Sequence, residues 1–411
     1  MRSVVVIGGG IAGTAAALAA ARAGASVTLV DGGTGASVLA GGAKDERDWE
    51  DEPPEAPDAT LAPLDERARA VVDALGGTRV TDRRALVVVT TGLVRPARGV
   101  DAALLDLASL PGGAVLVPDV EHGAWDARSL ARTWSASERT KDRGLRFVAG
   151  HAKLLAHTEE RSFADAELAA RHDDDARLAW LAERLREART ALARELVAIV
   201  LPPWLGVARE RATALSALMG VPCGEALGGV GGPAGLRFEH SRDRAFAAAG
   251  VVVLAGRASL VTRHADDDDH PWHVHVAKGR LDCDAVVLAT GGILGGGLEY
   301  TPAGAYLANA LPDTPRPLVR VTLDAPVRLG AFGRALAEPS SLFGGAPETH
   351  AWPYVREPLL DHAGVMVHDA GEVKGAAPGL YATGEVAAGP AHTWLAALTH
   401  GARAGDAAGR A

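Results

Sequence analysis

Apolar residues fall along this chain in distinct rhythms, and each rhythm predicts a different element. An unbroken apolar run at residues 3–7 meets three glycines and then an alanine-rich stretch, the pattern of a buried strand entering a buried helix. Residues 27–31, Val-Thr-Leu-Val-Asp, make a second strand. From 163 to 196 the apolar positions recur at helical spacing, among them Leu178, Leu181, Leu185, Ala188 and Leu192, with Arg and Glu between, which predicts one or two surface helices. Short apolar runs predict strands at 85–89 and 94–96, split by Gly92 as in a hairpin, at 114–118, and at 199–201 before Pro202 and Pro203. Further strands are expected at 251–254, 259–262, 273–276 and 285–292, the last ending in small residues, with a helix from Leu236 to Ala249 closed by Gly250. A last strand lies within 379–385 and a terminal helix begins at about His392. Residues 46–66, rich in Asp, Glu and Pro, read as an exposed loop.

The first 31 residues form a βαβ unit with a dinucleotide fingerprint. Gly8 lets the chain turn off the strand, Gly10 removes the side chain that would keep the backbone from a pyrophosphate, and Gly13 lets helix and strand pack closely. The phosphates then meet a helix N-terminus, where unpaired N–H groups and the helix dipole favour negative charge. Asp31, at the end of the second strand, is placed to accept hydrogen bonds from a ribose diol. The apolar start is this fold's first unit and not a signal peptide.

Composition narrows the class. At 411 residues the chain is long enough for two interleaved domains, and its net charge of -9 without a basic stripe disfavours nucleic acid and anionic membrane surfaces. No apolar stretch is long enough for a membrane span, so a cytoplasmic protein is expected, with any contact at the inner membrane made through a partner. Two cysteines, Cys223 and Cys283, are too few for an iron–sulfur cluster.

Two later segments join the fingerprint. Ala289-Thr290-Gly291 is similar to the Ala-Thr-Gly turn of many flavoprotein disulfide-reductase and fumarate-reductase type enzymes, whose small side chains let the backbone lie against the dinucleotide. Gly384-Glu385 resembles the ending of FAD enzymes in which the acid binds the ribitol chain and the following helix N-terminus faces the isoalloxazine ring. Three separated segments therefore converge on one extended cofactor, FAD rather than NAD. The predicted fold is α/β: a doubly wound, Rossmann-like parallel sheet in residues 1–50, 236–300 and 361–411, with a cap or substrate domain inserted at 51–235 and continued at 301–360.

With these segments in view, the chain resembles, over most of its length, the family formed by the second of the subunits of anaerobic glycerol-3-phosphate dehydrogenase. Residues 36–45 look like that family's serine- and glycine-rich segment, Leu201-Pro202-Pro203-Trp204-Leu205-Gly206 resembles its Leu-Pro-Ala-Cys-Leu-Gly, and Val287 to Leu298 resembles its Val-Leu-Ala-Ser/Thr-Gly-Ser-Phe-Phe-Gly-Gly-Gly-Leu. The resemblance implies a flavin subunit that works with a catalytic FAD subunit and an iron–sulfur membrane subunit, passing electrons from sn-glycerol 3-phosphate toward quinone. It implies FMN, whereas the chain's own fingerprint points to FAD. No histidine in 36–45 is available for a covalent link, so the flavin is expected to be noncovalent. The chain departs from the family at Gly389-Pro390-Ala391-His392-Thr393-Trp394, where family members carry a glycine- and cysteine-containing stretch. Other readings are a free-standing FAD-dependent dehydrogenase or reductase of fumarate-reductase type, and a flavin-fold subunit without chemistry.

Candidate chemistry outside these segments is thin. His392 stands near the flavin-facing helix start and is the one candidate for proton transfer, against a capping or packing role. Residues 264–270, His-Ala-Asp-Asp-Asp-Asp-His, read as a solvated hairpin tip rather than a metal site. Residues 172–175, His-Asp-Asp-Asp, read as a helix start with acids at the favourable dipole end. Arg95, Arg98 and Arg356 read as surface ion pairs before anion ligands.

Overall fold

The computed structural model describes residues 1–46, 61–123, 125–192, 194–264, 270–292, 295–297, 299–303, 318–324, 328–329, 350–351, 364–388 and 393–410. Two compact units emerge: Met1–Ser37, Leu64–Ala74 and Arg244–Ala411 form the first, and Val38–Pro63 with Leu75–Asp243 the second.

The first unit is built on β1 (Ser3–Ile7), α1 (Ile11–Arg22), β2 (Ser26–Asp31), β3 (Val252–Ala255), β4 (Ala285–Leu288), β5 (Leu380–Ala382) and a terminal helix α2 (Trp394–Arg410). Its five strands are all parallel and lie in the order β3-β2-β1-β4-β5. A parallel sheet covered on both faces needs strands that are apolar throughout, and Val4, Val5, Val6 and Ile7 are all buried. One face carries an antiparallel meander, Ala258–Arg263, Trp272–Val276 and Gly279–Cys283, whose Val261, Trp272 and Val274 share a core with Val5, Ile7 and Leu288.

The other face carries the two helices, packed backbone to backbone. A Cβ on Gly401 would lie 2.2 Å from the Ala12 carbonyl oxygen, one on Gly405 2.0 Å from that of Ala16, and one on Gly409 3.0 Å from that of Ala20. The two helices therefore run parallel. From this register α2 begins six residues ahead of α1, about 9 Å at 1.5 Å per residue, so two helix N-termini stand at successive depths above the carboxyl end of the sheet.

The second unit has a parallel sheet of its own, formed by Leu145–His151, Gly113–Asp119, Ala198–Leu201 and Cys223–Glu225 in that spatial order. Helices Ala127–Ala136, Asp165–Arg171, Asp175–Leu192 and Ala212–Met219 connect the strands. Beside it lies the hairpin Thr78–Val88 and Val94–Asp101, extended by Ala43–Lys44. Two of these strands, Gly113–Asp119 and Ala198–Leu201, match expected apolar runs, whereas Leu145–His151, Cys223–Glu225 and the union of the four in one sheet were not foreseen.

Several local readings change. The helix expected from Leu236 begins at Pro233, because a proline's fixed φ and missing N–H suit a first helical position. Glu66, expected in a loop, opens the helix Glu66–Leu75. Of residues 172–175, Asp174 and Asp175 do start a helix, but His172 is fully buried at the end of the preceding one, and Asp173 accepts from the Val207 and Ala208 amides. Arg98 pairs with the exposed Glu46 at 3.8 Å but is itself buried, 4% exposed, and donates to the Thr81 carbonyl at 2.7 Å and to that of Ala62. Arg95 pairs with Asp45. Arg356 and the tip 265–269 lie outside the described residues, as do 47–60 of the expected loop.

His172 makes an acid-sensitive point in this unit. Its Nδ1 faces the Trp204 carbonyl oxygen at 2.8 Å, and burial, reinforced by the Arg177 charge, pushes its pKa down to about 4. The folded state thus binds fewer protons than the unfolded chain between about pH 6.5 and 4, and stability should fall as pH drops through that window, by on the order of 3 kcal/mol in full. Urea unfolding at pH 7 and pH 4.5 measures it. His172→Gln should remove most of that pH dependence.

Candidate dinucleotide site

The site begins where β1 ends. Gly8 has φ +113°, its amide donates to the Val30 carbonyl at 2.9 Å, and a Cβ there would sit 2.1 Å from the Ala289 carbonyl oxygen. Gly13 is equally constrained, since a Cβ on it would lie 1.8 Å from the Gly8 carbonyl oxygen. These two glycines are required by the fold itself.

Gly10 differs. A Cβ there would meet only Ser37 Oγ, at 3.4 Å, and its φ of -67° is open to any residue. Among the described residues nothing demands glycine at the helix start, and an open cradle at a helix N-terminus fits a pyrophosphate. The helix presents no acid in its first turn and no side-chain cap from Gly10. Its first amide, that of Ile11, donates to Ser37 Oγ at 2.9 Å, and the first intrahelical bond runs from Thr14 to Gly10 at 2.8 Å. The α2 helix likewise has no acid in its first turn.

Asp31 ends β2 beside this loop. Its Oδ1 accepts from the Gly33 amide at 3.0 Å, and its carboxylate lies 2.9 Å from where a Gly9 Cβ would be, so an acceptor stands at the edge of the cradle. Asp31→Ala should weaken FAD binding by on the order of 1.5–3 kcal/mol, the scale of a hydrogen bond to a charged group. Fluorescence titration of apo-protein with FAD should show a roughly ten- to hundredfold higher Kd.

The later segments arrive at the same end of the sheet. After β4, Ala289 touches Gly8, and Thr290 leads into Gly291, whose φ of +81° turns the chain. After β5, the Thr383 amide donates to the Leu288 carbonyl at 2.8 Å, and Gly384, at φ +74°, comes so near α1 that a Cβ would lie 2.7 Å from that of Ala12. Glu385 Oε2 accepts from the Gly292 amide at 3.1 Å, which ties the two segments together. Gly8, Gly10, Gly13, Asp31, Thr290, Gly291, Gly384 and Glu385 are thus neighbours along the carboxyl end of one sheet. His392 lies outside the described residues.

Ser37 was not singled out from the sequence. Its cue is modest, a serine behind Gly35 soon after the second strand, and its hydroxyl at the first helix amide is visible only in three dimensions. The two cysteines have no part in the site: both are buried free thiols, which burial pushes up to about 12, far from the thiolate form that redox chemistry needs. Among the described residues no helix is long and apolar enough to cross a membrane, and no cluster of His, Cys, Asp and Glu suits a metal ion.

Residues 2–93 match the family described as pyridine nucleotide-disulphide oxidoreductase. No curated protein matches the chain in sequence. Among solved structures it is similar to glycine oxidase from Geobacillus kaustophilus, at 16% identity over 98% of this chain and 93% of that one, with TM-score 0.32. Sdh1 of Mycobacterium smegmatis in complex with UQ1 matches at 12% identity over 99% and 68%, with TM-score 0.35. The 3-ketosteroid delta1-dehydrogenase from Sterolibacterium denitrificans matches at 15% identity over 71% and 48%, with TM-score 0.27. The chain spans 32% of the length of a peptidyl tryptophan dihydroxylase and about half that of the steroid dehydrogenase. The parallel sheet, its fingerprint and the match of residues 2–93 together define an FAD-binding, Rossmann-like fold.

Proposed function

We propose that the chain is the flavin subunit of a quinone-linked glycerol-3-phosphate dehydrogenase, handing electrons from sn-glycerol 3-phosphate toward quinone together with a catalytic FAD subunit and an iron–sulfur membrane subunit. One observation supports it above the rest. The segment from Val287 to Leu298, the most specific point of likeness to that dehydrogenase's second-subunit family, begins in β4, and its Ala289 is the residue that touches Gly8 of the fingerprint. The stretch that carries the likeness is therefore part of the cofactor cradle.

The chain's own residues bind and orient. The α1 N-terminus receives the pyrophosphate, Asp31 the adenosine ribose, and Glu385, held by the Gly292 amide, faces the ribitol chain. The α2 N-terminus, about 9 Å further out by the register of the glycine stripe, stabilises negative charge on the ring system. The chemistry supplied by bound flavin is the reversible acceptance of a hydride or of single electrons.

Denaturing the purified chain should release a yellow cofactor with the mass of FAD; FMN alone, or flavin left on the polypeptide, would overturn the cofactor assignment. Co-expression with a catalytic flavin subunit and a cluster-bearing subunit should yield glycerol-3-phosphate oxidation that the chain alone barely shows. If the isolated chain with an artificial acceptor turns over a substrate at roughly 1 to 1000 per second, it is a free-standing dehydrogenase instead. A chain that retains no flavin is a non-catalytic subunit.

A further inference from the structure

The second unit raises a question of its own, because its sheet has the topology of a nucleotide-binding fold. In chain order its strands lie second, first, third, fourth, so the winding reverses between Gly113–Asp119 and Ala198–Leu201. Doubly wound sheets bind ligands at the carboxyl end of such a reversal, with phosphates on bare helix N-termini. Here those places are taken by the protein's own groups.

Three of the helices that start at the carboxyl end of this sheet carry a carboxylate bound to their own first amides, whereas Pro233–Ala249, after the fourth strand, has no acid in its first turn. Asp126 accepts from the Ser129 amide at 3.0 Å, Asp174 from the Arg177 amide at 2.8 Å, and Glu210 from the Thr213 amide at 3.1 Å. The reversal itself is filled by Trp204, which follows the third strand and is 1% exposed. Its ring meets His122, which follows the first strand, edge-on with centroids 5.2 Å apart, and its indole N–H donates to Asp165 at 2.8 Å. In the first unit, by contrast, neither α1 nor α2 has an acid in its first turn.

We infer that the reversal of the second sheet is closed to phosphate-bearing ligands, with Asp126, Asp174 and Glu210 as the excluding residues and Trp204 as the plug. A carboxylate at a helix start takes the amide a phosphate oxygen would need and adds like charge where a phosphate would sit. No nicotinamide nucleotide is then seated at this reversal, despite the doubly wound topology. This stands apart from the choice of glycerol 3-phosphate as substrate.

The test uses the full chain saturated with FAD, so that the first unit's cradle is filled. ADP and, separately, NADH are added up to about 1 mM, the weak end of ordinary ligand affinities, and binding is followed by calorimetry and by hydrogen exchange at the Ser129, Arg177 and Thr213 amides. Exchange at these amides should change less than twofold. Saturable binding that slows any of the three tenfold or more overturns the inference. Binding that leaves exchange at all three amides unchanged supports it, since the nucleotide has then gone elsewhere than the reversal.

Discussion

Gly10→Val protein should fold normally and emerge from purification without flavin. Of the three fingerprint glycines, Gly8 and Gly13 are pressed against backbone oxygens, at 2.1 and 1.8 Å from an added Cβ, so substituting either breaks the β1–α1 turn before any cofactor is involved. At Gly10 the protein leaves room, with a single neighbour at 3.4 Å, and the residue's φ of -67° suits any side chain. A branched side chain there displaces only the ligand. FAD titration of refolded apo-protein should show Kd raised a hundredfold or more, about 3 kcal/mol, with the thermal midpoint of the apo-protein within a few degrees of the parent. Equal flavin retention by parent and variant would remove the pyrophosphate from this position. An unfolded variant would show that Gly10, too, is held by the fold. Gly13→Ala is the contrasting control, expected to lose stability even without flavin.

The motif already gives Gly8 to the turn, Gly10 to the pyrophosphate and Gly13 to helix–strand packing, and the placement of Ala289 and of the Gly8 carbonyl supplies the contacts that make Gly8 and Gly13 structural. The βαβ unit itself was legible because three independent patterns coincide there: a strand apolar throughout, a helix rich in alanine, and an acid closing the second strand. The strands at 285–288 and 380–382 were legible for the same reason, being wholly buried. What escaped is what depends on pairs of distant residues. Gly401, Gly405 and Gly409 are an unremarked spacing of four until Ala12, Ala16 and Ala20 are found opposite them. The second unit's sheet escaped because its strands are widely separated along the chain, and strand order leaves no mark on local composition. Ser37 and Glu385 show the same limit at the site: each was visible as a residue, but Ser37's bond to Ile11 and Glu385's to Gly292 span 26 and 93 positions.

Long-range charge pairing is the feature that sequence hid most fully, and it yields the largest expected effect on stability. Arg237 in the second unit is 4% exposed; its Nε lies 3.1 Å from Asp101 Oδ1, its Nη2 is 2.6 Å from Glu225 Oε2, and its Nη1 donates to the Gly206 carbonyl at 2.6 Å. Lys44, also buried, belongs to the same cluster, and its ammonium is pushed by burial down to about 8 against the pull of Asp101. Burial raises the Glu225 carboxyl above its ordinary range, and Arg237 opposes that shift. The guanidinium is thus the cation that allows two carboxylates to remain in the interior. Arg237→Met keeps much of the volume but strands Asp101 and Glu225, and losing one partner of a buried charge pair typically costs about 3–5 kcal/mol. Urea unfolding followed by tryptophan fluorescence should show that loss at neutral pH. In the variant Glu225 should hold its proton to higher pH, so the deficit should shrink as the solution is acidified toward pH 5. Adding Asp101→Asn and Glu225→Gln to Arg237→Met should recover part of the stability, because the two stranded carboxylates are then neutral, with Lys44 left to lose the pull of Asp101. If Arg237→Met alone costs under about 1 kcal/mol, the cluster is hydrated or the carboxylates are protonated in the parent, and the pairing does not hold the second unit together.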